Sequence, residues 1–464
     1  MNFLRKKSIE SVMETGKVSG LSKNLTAIDL ILLGLGVIVG TGVFALTGLV
    51  ASQYAGPAVT ISYAIAGFTC IFVALAYTEL IAMLPTSGSI YTYSYIAFGE
   101  MFAWIIAGVV MVEFGVAASA VSGSWSAYVQ GILHSAGIFL PKSLSKSFFE
   151  GGMIDLPAFM IVLFVGFMLY LGTKESKRLN NILVLIKMIA ITAFVIFAAP
   201  HFDSDNWQDF MPNGFDDVLV GASILFFAFT GFGALASTAE ECKNPKRDLT
   251  IGIMGSLVIA TLIYVIVAGV LTGIVPFYEL GNAEPLAHAL KSKGSNVGSI
   301  IVAIGALAGM TTVIMVNIYG QSRIFYVIAR DGLLPKSLAK LHHKYDSPHI
   351  MIGIFTAFVA ILGSMVSYNV LAQISSMGSL ADYVVIGIMV MFFRIKYPDV
   401  DRPFRCPALF VIAPVAVLAS AYLLLKQIIS KSGTMLLTGK VFIAWFVIVF
   451  ILYVLRIACF KRES

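Results

Sequence analysis

The sequence predicts an all-α polytopic membrane protein: twelve transmembrane helices, ten of them in a five-plus-five inverted repeat in which helices 1 and 6 are broken. Three observations carry this reading. The 464-residue chain is 58% hydrophobic and only 12% charged, where an average soluble domain carries about 25% charged residues. Apolar runs of roughly 20 residues, enough to cross a bilayer core, recur from end to end. Two of those runs are interrupted at mid-length by glycine and threonine, which hold a helix poorly.

The apolar runs lie at 26–50, 57–83, 98–133, 156–171, 182–199, 218–239, 251–275, 298–328, 350–366, 370–393, 409–425 and 441–460, segments 1 to 12. An even number puts both termini on one side. With that side cytoplasmic, most of the 31 lysines and arginines fall on inner loops, as the positive-inside rule requires. The net charge of +6 therefore reports orientation in an inner membrane, with lipid as solvent and no nucleic-acid partner expected. The opening Arg5-Lys6-Lys7 lacks the apolar stretch and small-residue cleavage site of a secretory signal. The expected division is 1–25 as a cytoplasmic N-terminal segment, 26–200 as the first repeat, 201–395 as the second, and 396–464 as segments 11 and 12 with a cytoplasmic C-terminus. A monomer suffices for this arrangement, although the oligomeric state is not legible. Cys70, Cys242, Cys406 and Cys459 are too scattered for metal-ligand spacing and are read as reduced thiols, so no metal or cofactor is expected.

Segment 1 opens at Thr26 and Asp29, which have capping-box spacing. Its middle reads Gly34-Leu35-Gly36-Val37-Ile38-Val39-Gly40-Thr41-Gly42-Val43-Phe44. Each glycine costs a helix about 1 kcal/mol relative to alanine, which favours a break here. Unwound backbone survives in a membrane only where it lines a cavity or is covered by protein. Close helix packing through Gly36 and Gly40 is the alternative. A dinucleotide-binding loop is excluded, because no soluble strand precedes the glycines.

Segments 2 and 3 carry Glu79 and Glu113, whose cost inside a membrane marks them as candidates. Glu79, near the inner surface, suits a structural or gating contact. Glu113 suits contact with a substrate or a neighbouring helix. Segment 5 contains a lone lysine, Lys187, a candidate proton-responsive group; snorkelling to the cytoplasmic surface is the alternative. Segment 6 repeats the interruption as Phe226-Phe227-Ala228-Phe229-Thr230-Gly231-Phe232-Gly233. Glu240 and Glu241 at its inner end, and Arg323 near that of segment 8, are candidates for a cytoplasmic gate, or else ordinary solvated helix ends. The remaining segments are read from length and apolarity alone.

Interrupted segments at corresponding positions of two halves point to a transport site near the midplane. Segments 1 and 6 each open a set of five, and an odd count inverts one set relative to the other. No residue-level identity links the halves. Unpaired amides at Thr41, Gly42 and Val43 suit a carboxylate. Free carbonyls near Phe227, Ala228 and Thr230 suit an ammonium group. A ligand with both groups is an amino acid.

Four motifs carry a family likeness: Gly40-Thr41-Gly42-Val43-Phe44; Tyr77-Thr78-Glu79 with Pro85 and Ser87-Gly88-Ser89; Thr238-Ala239-Glu240-Glu241 with Asn244-Pro245 and Arg247-Asp248; and Tyr319-Gly320-Gln321-Ser322-Arg323 leading into Ala329-Arg330-Asp331-Gly332-Leu333-Leu334-Pro335. Over 26–407 the chain resembles the amino acid-polyamine-organocation superfamily, and within it a bacterial member of the cationic amino acid transporter branch. The resemblance implies the LeuT-type five-plus-five fold with two extra helices, and import of amino acids by alternating access with protons. It also implies that Gly40, Thr41 and Gly42 hold the substrate carboxylate and that carbonyls of Phe227, Ala228 and Thr230 take the amino group. Phe227 would close over the substrate, Ile38 and Asn317 would line the side-chain pocket, and Lys187 would stand where other branches bind sodium. The chain departs from the pattern at Gly233, where relatives often have aspartate, and Asp382 in segment 10 is unusual.

An enzyme would need a nucleophile with a base or a metal cluster, whereas the six histidines fall in loops or at segment ends. A channel would need a filter-forming segment in an oligomer. Proton symport and amino acid exchange both remain open, while the lysine argues against sodium. The preferred amino acid is not legible, because backbone groups read what all amino acids share.

Overall fold

The computed structural model describes residues 5–12, 23–282, 284–429 and 435–460. Parts of the predicted terminal segments, and the side chain of Cys459, lie outside them. Among the described residues the chain is helical throughout, with no β-structure beyond two isolated bridges, Leu25 with Cys242 and Ile429 with Met435.

Among the described residues nine stretches are long and apolar enough to cross a membrane: Ala27–Met83, Glu100–His134, Glu175–His201, Phe215–Glu241, Pro245–Ile274, Asn296–Arg330, Tyr368–Lys396, Leu409–Ile428 and Leu437–Arg456. Two shorter apolar helices, Leu156–Tyr170 and His349–Met365, accompany them. The capping box forms at the entry to the first. Asp29 N donates to Thr26 Oγ1, and Thr26 N donates to Asp29 Oδ2 at 2.9 Å. Lys177, at the start of segment 5, reaches the same carboxylate at 2.8 Å.

The interrupted segments occupy the centre. Residues 33–48 and 225–242 are buried without a gap. Segment 7 packs along segments 1 and 2, segment 5 along segment 8, and segment 10 against segments 3 and 11. Leu185, Leu262, Ile300, Leu418 and Leu455 point outward, so the outer surface is an apolar belt of the kind a bilayer solvates. Segment 3 is also irregular: helix Glu100–Val110 widens into a π-type turn over Met111–Val116 before continuing as Ala117–Ser135. Such turns insert an extra residue and re-aim side chains, here around Glu113. Cys70, Cys242 and Cys406 are buried free thiols.

Candidate functional site

Helix Ala27–Ile38 stops at Val39, whose backbone is extended, and helical geometry returns at Thr41 with a π-type turn over Gly42–Leu46. In segment 6, helix Phe215–Leu225 tightens to a 3-10 turn over Phe226–Phe229. Thr230 is then extended, Gly231 is left-handed at φ 88°, and the chain resumes as the 3-10 helix Phe232–Glu241. Glycine suits position 231 because other residues pay about 1–2 kcal/mol for that conformation.

The two breaks touch. A Cβ on Gly42 would lie 2.3 Å from Ala228 Cβ, so only glycine admits this approach. Gly36 and Gly40 pack as closely, against Asn180 and Val313. Both sequence readings of the glycines therefore hold, as interruption and as close packing.

The carbonyl end left by the first break is occupied. Lys187 Nζ lies 2.7 Å from Leu35 O and from Val39 O, 3.1 Å from Gly36 O and 3.0 Å from Thr312 Oγ1. The side chain is fully buried, so it turns inward to the break and does not snorkel. A cation at a helix C-terminus is favoured by the helix dipole. Three tyrosines that sequence reasoning missed hold neighbouring carbonyls. The Tyr264 hydroxyl sits between Ile38 O and Ala228 O, the latter at 2.9 Å, and so bridges both breaks. Tyr63 donates to Gly42 O at 2.8 Å, and Tyr128 to Phe44 O at 2.7 Å. Their only sequence signal was a polar-tipped ring within an apolar run.

The amide end is freer. Thr41 Oγ1 is buried with no hydrogen-bond partner, and first-turn amides of a helix lack intrahelical acceptors. Across the gap, Phe227 O accepts from the Thr230 hydroxyl at 2.9 Å. Asn317 donates to Val313 O at 2.9 Å, and its own Oδ1 is unpartnered and faces Gly231. Ile38, Gly40, Thr41, Gly42, Phe227, Ala228, Thr230 and Asn317 thus meet in one buried region, with Lys187 on its segment-1 side. Glu113 lies on the other side, facing the Gly231 amide.

Two cavities adjoin this region. One of about 430 Å³ is lined by Ala45, Leu49, Ser124, Asp155 and Tyr368. Another of about 270 Å³ reaches Phe227, Leu46, Ser376 and Gln427. Burial raises the Asp155 carboxyl to about 6 although the Ser126 hydroxyl and Ala158 amide donate to it. Burial likewise raises Glu284 to about 7, opposed by Lys291.

At the opposite end the predicted gate residues do come together. Arg323 pairs with Glu241, both fully buried, and stacks on Tyr319. Glu240 accepts from the Ser87 amide at 3.1 Å and pairs with Arg330 at 3.3 Å. Arg330 and Ser87 were not singled out as gate residues. Glu79 instead holds the loop after segment 10, through Arg394, Arg402 and the Cys406 amide at 2.8 Å. Among the described residues no three histidine, cysteine, aspartate or glutamate side chains gather as metal ligands.

A sequence model described as amino acid permease matches residues 25–455. The chain is 43% identical over 433 residues to the branched-chain amino acid permease BcaP of Bacillus subtilis, covering 92% of each. It is 37% identical over 454 residues to the methylthioribose transporter of the same organism, covering 97% of this chain and 98% of that one. The chloroplastic cationic amino acid transporter 9 of Arabidopsis thaliana is 38% identical over 406 residues, 85% of this chain and 71% of the relative. The matched family and these relatives are permeases and transporters, not enzymes.

Proposed function

Because this chain belongs to the amino acid permease family, we propose that it is a secondary active transporter that imports amino acids by alternating access, coupled to protons. The observation that carries the proposal is the contact of two interrupted helices at Gly42 and Ala228. One break offers amide donors beside an unpartnered Thr41 hydroxyl, and the other offers carbonyls. Gly40, Thr41 and Gly42 bind the substrate carboxylate, and carbonyls at Phe227, Ala228 and Thr230 receive its ammonium. Phe227 lies over the substrate, while Ile38, Asn317 and Glu113 face its side chain. Lys187 is the proton-responsive group, and Glu240, Glu241 and Arg323 latch the cytoplasmic gate.

In this reading the chain crosses the membrane twelve times. Ala27–Met83 contains two predicted crossings, and the helices Leu156–Tyr170 and His349–Met365 supply two more. Residues 26–200 and 201–395 are the inverted repeats, with both termini in the cytoplasm of a bacterial cell. The cavities beside this region then open outward while the ion pairs seal the inside.

Uptake of leucine, valine, arginine and lysine into proteoliposomes under an imposed pH gradient tests this. Saturable, gradient-driven uptake that Lys187→Ala abolishes is expected. Uptake that ignores the gradient but needs internal amino acid would make the protein an exchanger on the same site. Flux that never saturates would make it a channel. Because relatives spanning nearly the whole chain are named for branched-chain amino acids and for methylthioribose, thermal shifts across the twenty amino acids and methylthioribose identify the ligand.

A further inference from the structure

Beside the second break lies a pair of carboxyls of which the transport reading uses only Glu113. Asp382 of segment 10 and Glu113 of segment 3 are fully buried neighbours, where the Ser375 hydroxyl of segment 10 donates to the backbone Glu113 O at 3.1 Å. Ser379, one turn before Asp382, and the amide of Gly231 also face the Glu113 carboxyl. Yet neither Glu113 oxygen, nor Asp382 Oδ1, nor the buried Ser379 hydroxyl makes a close hydrogen bond. Among the described residues no cationic side chain neighbours either carboxyl. The titratable groups around them are the Tyr77 hydroxyl of segment 2 and the Tyr383 hydroxyl of segment 10. Segment 8 contributes only neutral amides, Asn317 beside Gly231 and Gln321 near Gly115.

Two neighbouring carboxylates in a medium of low polarity resist both being ionised when no cation lies between them. One negative charge has a natural seat. Gly231 precedes the 3-10 helix Phe232–Glu241, and the amide end of such a helix carries partial positive charge. That end faces Glu113 and not Asp382. We infer that Glu113 and Asp382 form a proton-binding site holding one shared proton, with the charge on Glu113 against the Gly231 amide and the proton on Asp382. The site is separate from Lys187: the lysine sits on the carbonyl end of the first break, the carboxyl pair on the amide end of the second. A proton arriving or leaving there changes the charge beside Gly231, where segment 6 reverses its backbone.

The test is infrared pH titration of the whole protein in lipid nanodiscs, with no substrate added, so its outcome does not depend on how transport is coupled. The wild-type protein is expected to show the C=O stretch of a protonated carboxyl that persists through neutral pH and shifts when aspartate is carbon-13 labelled. Asp382→Asn removes that band, and Glu113→Gln moves it by replacing the acceptor. Absence of the band in wild-type protein overturns the inference, as does a band that labelled aspartate fails to shift. If Asp382→Asn folds and keeps the band, the proton resides elsewhere and the assignment is wrong.

Discussion

The two breaks leave opposite halves of a helix end at mid-depth, and they are treated differently. At the first, the exposed carbonyls of Leu35, Gly36 and Val39 converge on one ammonium, and tyrosine hydroxyls hold Ile38, Gly42 and Phe44. At the second, the amide end faces the Glu113 carboxyl, which lacks a close partner and has Asp382 beside it, and an Asn317 oxygen that has none. The difference follows from electrostatics: a helix C-terminus attracts a cation and an N-terminus an anion. A permanent side-chain ligand completes the carbonyl end of the first break, while its amide end keeps the unpartnered Thr41 hydroxyl. The second keeps unspent hydrogen-bonding capacity, which is where exchangeable groups bind. Buried polar groups left unpaired are costly, and they persist both at Thr41 and beside Gly231.

The comparison breaks most severely if the first end loses its cation. Lys187→Ala removes the contacts to Leu35 O, Gly36 O and Val39 O; Leu35 O keeps the Val39 amide and Gly36 O keeps the Thr312 hydroxyl, while Val39 O loses the ammonium that faced it. Hydrogen bonds to a charged group contribute about 1.5–3 kcal/mol and truncating a large buried side chain leaves a cavity besides, so the combined cost is about 3–5 kcal/mol. Chemical unfolding in detergent is expected to show a loss of that order together with loss of uptake. A stability within about 1 kcal/mol of wild type would mean that the ammonium does not hold the break.

A smaller effect is expected from forcing the second break to straighten. Gly231→Ala must adopt φ 88°, and its Cβ would come within 2.5 Å of Val37 Cγ2. Left-handed strain and the clash together cost about 2–3 kcal/mol, and uptake should fall more than stability alone explains. Smaller again is Tyr264→Phe, which removes the one hydroxyl shared between Ile38 O and Ala228 O. The lost hydrogen bond costs about 1–2 kcal/mol, and uncoupling the breaks should lower uptake several-fold with little change in fold by circular dichroism.

Much of this was legible in the residues. Glycine and threonine at mid-segment announced both interruptions because their helix propensity is low wherever they stand. Lys187 was visible as an isolated charge. The tyrosines were not, since a tyrosine in an apolar run looks the same whether its hydroxyl meets a carbonyl across the bundle or not. Asp382 stood out as unusual, but its partner lies on a π-type turn far away in sequence. Apart from Glu113 and the single glycine Gly115, Met111–Val116 reads as an ordinary apolar helix. Arg330 was missed because its pairing depends on Glu240 being buried beneath it.

The smallest expected effect sharpens the comparison at a third helix end. Asp155 caps the helix Leu156–Tyr170 and, unlike Glu113, has its partners in place: the Ser126 hydroxyl at 2.5 Å and the Ala158 amide at 3.1 Å. Burial nonetheless outweighs these bonds and raises its pKa from 3.8 to about 6. The folded protein therefore binds a proton here that the unfolded chain releases between pH 3.8 and about 6. Where the native state holds more protons, stability falls as pH rises, so this carboxyl stabilises the fold on the acid side and the contribution is gone above about pH 6. Between about pH 7 and pH 5 the gain amounts to about 1 kcal/mol. Asp155→Asn keeps a capping side chain but has no proton to bind. Unfolding measured at both pH values should show the wild-type protein gaining that increment relative to the variant. An increment of opposite sign would mean that the cap's hydrogen bonds, and not burial, govern a carboxyl at a helix amide end, and the contrast drawn with Glu113 would lose its reference point.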